Sequence, residues 1–217
     1  TIMAKTTEQT VWCIHGGRVG EADSLFLKHN VVALDYRGAG DLSVLAPNRD
    51  AFKDRILQVS PEIKPGALNN SAGQIFRFIH EMQVGDLVVY PSKIDRRMHI
   101  GRVEGPYVYV VEAEGAFPHR RAVRWLKAPP RTSFSQGALY ETGSALSFFQ
   151  IRNYADEFRA APEGRPPALP VEKDETVAVV AENIEQTTHD FVLKQLAQEL
   201  KGHPLAEFVA HLLGAMG

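Results

Sequence analysis

The sequence predicts a mixed α+β domain built round a small, mostly antiparallel β-barrel, with inserted and flanking helices and a helical segment at the C-terminus. Three observations carry this expectation. About seven short runs rich in β-branched and aromatic residues are bounded by Gly and Pro turns. Two segments with apolar residues at helical spacing interrupt those runs. A turn at Gly85-Asp86 feeds the apolar run Leu87-Val-Val-Tyr-Pro91, and a second run resumes at Met98 after the charged Ile94-Asp-Arg-Arg97. That pair reads as two walls of a barrel with a wet, basic mouth.

In chain order, residues 10–15 form a strand stopped by Gly16-Gly17, with Trp12 and Ile14 on one face and Val11 and Cys13 on the other. Residues 31–36 form a second strand, ended by Gly38 and Gly40. A helix over 50–59 has Asn48 as N-cap and is stopped by Pro61 and Pro65. Ser71-Ala-Gly-Gln74 is a capping-box pattern that opens a second helix through Met82. Strands follow at 86–91, 98–104, 107–111, 119–127 and 146–151, with a polar loop at 132–137. The domain so read covers residues 10–159. The proline-bearing stretch 160–175 reads as a linker, and 176–217 as a helical segment. Leu205, Phe208, Val209, Leu212, Leu213 and Met216 give its last helix an apolar stripe, expected to dock on a domain beyond Gly217.

With 44% hydrophobic and 23% charged residues, the composition is that of an ordinary globular chain. One cysteine excludes an intramolecular disulfide and a multi-cysteine zinc site, and points to a reduced, cytoplasmic setting. No run of apolar residues reaches membrane-span length. The net charge of −2 hides an asymmetry: residues 93–131 hold nine Lys or Arg against four acids, and residues 155–217 hold eleven acids against five bases. A basic module beside an acidic tail suggests a nucleic-acid face. Enzyme signatures are missing: there is no Gly-x-Ser-x-Gly and no His-Glu-x-x-His, and Gly16-Gly-Arg-Val-Gly20 lacks the Lys-Ser/Thr of a phosphate loop. His15, His80, His99 and His119 are too scattered for a metal site, and Cys13 reads as a buried, inert thiol.

Two stretches resemble known families. His203-Pro-Leu-Ala-Glu-Phe-Val-Ala-His-Leu-Leu-Gly-Ala-Met-Gly217 resembles the opening helix of the Mrr-type restriction endonuclease domain. The catalytic residues of such a nuclease, and the magnesium it implies, belong beyond Gly217, so the residues here are expected to be noncatalytic and cofactor-free. Trp12-Cys-Ile-His15, Gln74-Ile-Phe-Arg-Phe-Ile-His80, Gly85-Asp-Leu-Val-Val-Tyr-Pro-Ser-Lys93, Ile100-Gly-Arg102, Pro118-His-Arg-Arg121 and Ser135-Gln-Gly-Ala-Leu-Tyr140 resemble the EVE-like branch of the PUA superfamily. Asp35-Tyr36 stands where such relatives often carry Gly-Trp. The resemblance implies the reader module of a modification-dependent (type IV) restriction enzyme in a prokaryotic cytoplasm, homodimeric at full length. It would bind double-stranded DNA bearing 5-methylcytosine or 5-hydroxymethylcytosine; modified RNA and N6-methyladenine are the alternatives.

Flipping a base from the stack costs a few kcal/mol, which aromatic stacking offsets by about 1–3 kcal/mol per base. Trp12 and Tyr36 are the expected stacking walls, with Tyr90 nearby and Asp35 or Ser92 meeting the polar edge of the base. Each has a structural alternative: Trp12 and Tyr90 as packing, Asp35 as the cap of a glycine turn. Lys93, Arg96, Arg97, Arg120, Arg121, Arg124 and Lys127 are the expected phosphate contacts, and Phe134 a possible wedge.

Overall fold

The computed structural model describes residues 9–111 and 117–164. The chain divides into two units at Leu169/Pro170, and only the first is described below; the expected helical segment, the nuclease-like helix and most of the linker lie outside the described residues. The elements are β1 (Val11–Ile14), α1 (Asp23–His29), β2 (Val31–Leu34), α2 (Arg49–Val59), α3 (Pro65–Phe76), β3 (Leu87–Pro91), β4 (Met98–Tyr109), β5 (His119–Lys127), α4 (Gln136–Thr142), β6 (Phe148–Ile151) and α5 (Ala155–Ala160).

The α+β class holds, but the barrel does not close. Six strands form one mixed sheet in the order β2-β5-β4-β3-β1-β6. Neighbours run antiparallel except β1 and β3, which are parallel with Trp12 beside Val88. The edge strands β2 and β6 do not pair with each other, because helices fill the space that closure would need. Phe26 of α1, Phe52 of α2, and Ile75, Phe78 and Met82 of α3 and its continuation are buried against the inner face of the sheet. Burying each such side chain stabilises the fold by roughly 1.5–3 kcal/mol. The first core also contains Trp12, Ile14, Val32, Leu34, Val88, Tyr90, Val103 and Val123. The alternate residues Val11, Cys13, Leu87, Val89, Ile100 and Ile151 form a second core on the outer face, beneath Ala138 of α4 and Phe158 of α5. Strands β1 and β3 are therefore apolar on both faces, which suits a parallel pair covered on both sides.

Two predicted strands are one. β4 runs unbroken through Gly105-Pro106, its register against β5 slipping between Val103 and Tyr107. A bulge absorbs the proline, which would otherwise remove a ladder bond. The Asn48 cap is as expected, its Oδ1 accepting from Ala51 N at 3.0 Å. Ser71 is not a cap. Pro65 stands in the first turn of α3, where a missing N–H costs nothing, so the proline begins that helix rather than only ending the previous one. α3 runs on into a wider turn, Arg77–Glu81, and the buried Arg121 closes it. The Arg121 guanidinium donates to Phe78 O and Ile79 O at 2.8 Å each, and to Gly105 O at 3.1 Å.

Candidate functional site

Three strands lie between β2 and β1 in the sheet order, yet the C-terminal ends of β1 and β2 line one cleft of about 350 Å³. This is possible because the sheet curls round its inner core. The volume lies in the usual range for small-molecule sites, about 300–1,000 Å³. After β1 the chain turns at Gly17, whose φ of +92° favours glycine and where a Cβ would meet the Glu21 carboxylate. That carboxylate accepts from Val19 N at 2.9 Å and so fixes the loop. After β2 the chain turns through Asp35-Tyr36-Arg37. Leu34, Tyr36 and Phe117 supply apolar and aromatic wall; His15, Asp35, Glu21, Arg18 and Arg37 supply polar groups.

Asp35 is exposed and takes both Nε and Nη2 of Arg37 at 3.0 Å, a two-point pair that pushes the Arg37 guanidinium pKa up. Tyr36 is half-buried, its hydroxyl donating to Ser71 O at 3.3 Å, and burial raises its pKa. Its carbonyl accepts from His119 Nε2 at 3.1 Å, and His119 Nδ1 lies 2.8 Å from the Tyr107 hydroxyl. A carbonyl can only accept, so Nε2 carries the proton of His119 and Nδ1 receives that of Tyr107. Burial lowers the pKa of His119 and raises that of Tyr107 to about 12. Tyr36, two residues past β2, is thus held by a buried, neutral imidazole.

Among the expected base-contacting residues, Asp35 and Tyr36 line the cleft; Trp12, Tyr90 and Ser92 do not. Trp12 is 2% exposed, stacked on Phe148 with ring centroids 5.0 Å apart, its Nε1 donating to Asp86 Oδ2 at 2.8 Å. With its indole packed into the core, it has no face for a base. Tyr90 and Ser92 are buried and donate to the same oxygen, Asp23 Oδ1, at 2.8 and 2.6 Å. Ser92 Oγ also accepts from Ile94 N and Asp95 N. These two residues set the β3–β4 loop rather than a base. Phe134 is buried and stacked on Phe158 at 4.8 Å, so it packs the second core instead of forming a wedge.

The expected phosphate contacts divide similarly. Arg121 is a buried structural donor. Lys93, Arg96 and Arg97 are exposed on the β3–β4 loop, with Lys93 Nζ on Arg18 O at 2.6 Å and Arg97 Nε on Ala128 O at 3.1 Å. On the outer face of β4 and β5, Arg124 pairs with Glu104 at 2.7 Å and stands opposite Arg102. Half-buried Arg120 donates to Phe117 O at 2.8 Å, at the cleft wall, and Lys127 is exposed. Among the described residues no group of three or more His, Cys, Asp or Glu is placed to hold a metal ion, and no helix is long and apolar enough to cross a membrane.

A family model described as "Domain of unknown function (DUF8426)" matches residues 12–151. The chain belongs to the DUF8426 family. The match runs from β1 to the end of β6, so the DUF8426 segment holds the sheet and every cleft residue named above. No curated protein matches the chain.

Several DUF8426 cleft residues were not expected as site residues from sequence: His15, Arg18, Glu21, Arg37 and Phe117. For Arg37 a local signal existed, since Asp35 and Arg37 flank Tyr36 at a strand end. For Phe117 none did, because only the pairing of β5 beside β2, with Leu34 opposite His119, brings it to the end of β2.

Proposed function

We propose that the DUF8426 domain binds nucleic acid carrying a modified base and takes that base into the cleft at the ends of β1 and β2. The preferred ligand is DNA with 5-methylcytosine or 5-hydroxymethylcytosine. What supports this is one juxtaposition: a cleft large enough for a nucleoside, with Tyr36 and Phe117 in its wall and Asp35 and Arg18 among its polar groups. Two aromatic rings offer stacking of about 1–3 kcal/mol per base, comparable with the cost of extruding one. Arg18 and the exposed bases of the β3–β4 loop and of β5 would contact phosphates.

The remaining expectations keep company with this reading. Support for an EVE-like, PUA-type ancestry is the mixed, mostly antiparallel sheet and the Gly85-Asp86 turn into β3. A type IV restriction role would add a magnesium-dependent nuclease domain after Gly217, a homodimer and a prokaryotic cytoplasm. The cleft volume also admits a purine, which makes modified RNA or N6-methyladenine the second reading.

The test is binding of matched DNA and RNA oligonucleotides with and without each modification. Modified DNA should bind more tightly, and Tyr36→Leu should weaken that preference by about tenfold or more. Affinity should fall steeply with salt for every ligand. Equal affinity for modified and unmodified strands would overturn the reading.

A further inference from the structure

The hydrogen-bond polarity of the cleft carries one step more, which rests on the reading above that the ligand is a base. His15 lines the cleft, and its Nε2 stands 2.9 Å from Thr142 O. A carbonyl oxygen offers no proton, so Nε2 must donate. A neutral imidazole has one N–H, so Nδ1 is left as a lone-pair acceptor, and no described residue bonds it. Cys13 Sγ lies 3.8 Å from Nε2, and the ring of Phe149 meets the imidazole edge-on at 6.0 Å. Burial favours the neutral ring, and the cations Lys93 and Arg131 act in the same direction.

The anionic groups of the cleft point the same way. Asp35 and Glu21 are carboxylates, which only accept. The opposing donors are the two guanidinium groups and the Ser147 hydroxyl, which can donate or accept: Arg37 is engaged by Asp35, whereas Arg18, among the described residues, is held only through its carbonyl, which accepts from Lys93 Nζ. Arg18 is thus the cation open to a phosphate, and the ring edge of a base meets acceptors.

From this geometry we infer that His15 is a specificity-determining residue, and that the cleft selects amino bases, of the cytosine and adenine type, over keto bases. An exocyclic amino group carries two hydrogens and can serve two acceptors together. Thymine offers one N3–H set between two carbonyl oxygens, which would face the lone pairs of His15 and Asp35. A buried acceptor left without a donor weakens binding by a factor of about ten or more.

5-Methylcytosine and thymine share ring size and the C5 methyl and differ only along this edge, so they form the decisive pair. Single-stranded oligonucleotides with either base at one position, and a second pair with adenine or hypoxanthine, are titrated against the full chain. The amino member of each pair should bind about tenfold more tightly. His15→Phe keeps a ring of similar shape but offers no acceptor, and should bring each pair close to parity. His15→Asn, which retains an acceptor near the position of Nδ1, should keep the preference. Equal wild-type affinities within both pairs overturn the inference and leave base binding standing. A preference that survives in His15→Phe overturns the role of His15. Failure of every oligonucleotide to bind overturns the base-binding reading and this inference together. Should His15→Phe not fold, the wild-type pairs and His15→Asn still decide.

Discussion

His119 shows how one proton can be fixed by its surroundings. It donates to Tyr36 O and accepts from Tyr107, and a second proton would put two donors face to face at Nδ1. His15 and His80 are also shifted, and in all three burial is the largest cause of a pKa below the ordinary 6.5. The sign follows from linkage. The unfolded chain takes up these protons first as pH falls, so the stabilisation is complete above 6.5 and is lost as pH drops through the lower folded values. Thermal midpoints should therefore fall as pH drops below about 6.5, and His119→Gln, which keeps a donor for Tyr36 O, should flatten the decline. An unchanged slope in that variant would remove His119 from the account. His119 also marks what sequence reading could reach. It reads there as one of several scattered histidines, and its role depends on Tyr107, which comes alongside only through the register of β4 on β5.

At the scale of elements, Arg121 joins α3 to the sheet. Its three bonds cap the open carbonyls of the turn after α3 and reach the bulge at Gly105. Arg121→Met should cost about 1–3 kcal/mol for each buried carbonyl it strands. Arg121→Lys should lower the melting temperature while leaving the salt dependence of nucleic-acid binding as it is. Arg124→Gln should do the reverse, reducing the salt slope by about one contact with little loss of stability. If Arg121→Lys reduced the slope, the guanidinium would be reaching a ligand after all. From sequence, Arg120, Arg121 and Arg124 are equivalent basic residues, and only strand parity separates the buried one from its neighbours. The strands themselves were legible, since alternation and glycine turns are local signals: β1, β2, β3, β5 and β6 fall within their expected ranges. α1, α4 and α5 were missed because each is only six or seven residues long, too short to show a period. Closure of the sheet was overcalled because no local pattern reports whether two edges meet. The cleft was half legible: Asp35 and Tyr36 lie at a strand end, but Phe117 joins them through the pairing of β5 with β2, and the curl that brings the end of β1 alongside is a property of the whole sheet.

At the scale of the whole molecule, both cores, among the described residues, are drawn from residues between Val11 and Phe158. The chain ended after Leu169 keeps every residue of these cores and should unfold in one cooperative transition, in calorimetry or urea. A broad or strongly lowered transition would mean that later residues contribute to these cores. The strand order has a consequence in time as well. β1 is made first, yet it sits between β3 and β6, so no neighbour exists for it until synthesis passes Pro91, and its second neighbour arrives only at Ile151. Contacts of such sequence separation slow folding, because loop closure must precede the contacts that repay it. The nascent chain thus carries an apolar strand, Val11–Ile14, that is unpaired until Pro91 and paired on one side only until Ile151, and the indole of Trp12 reaches its place on Phe148 only once β6 is made.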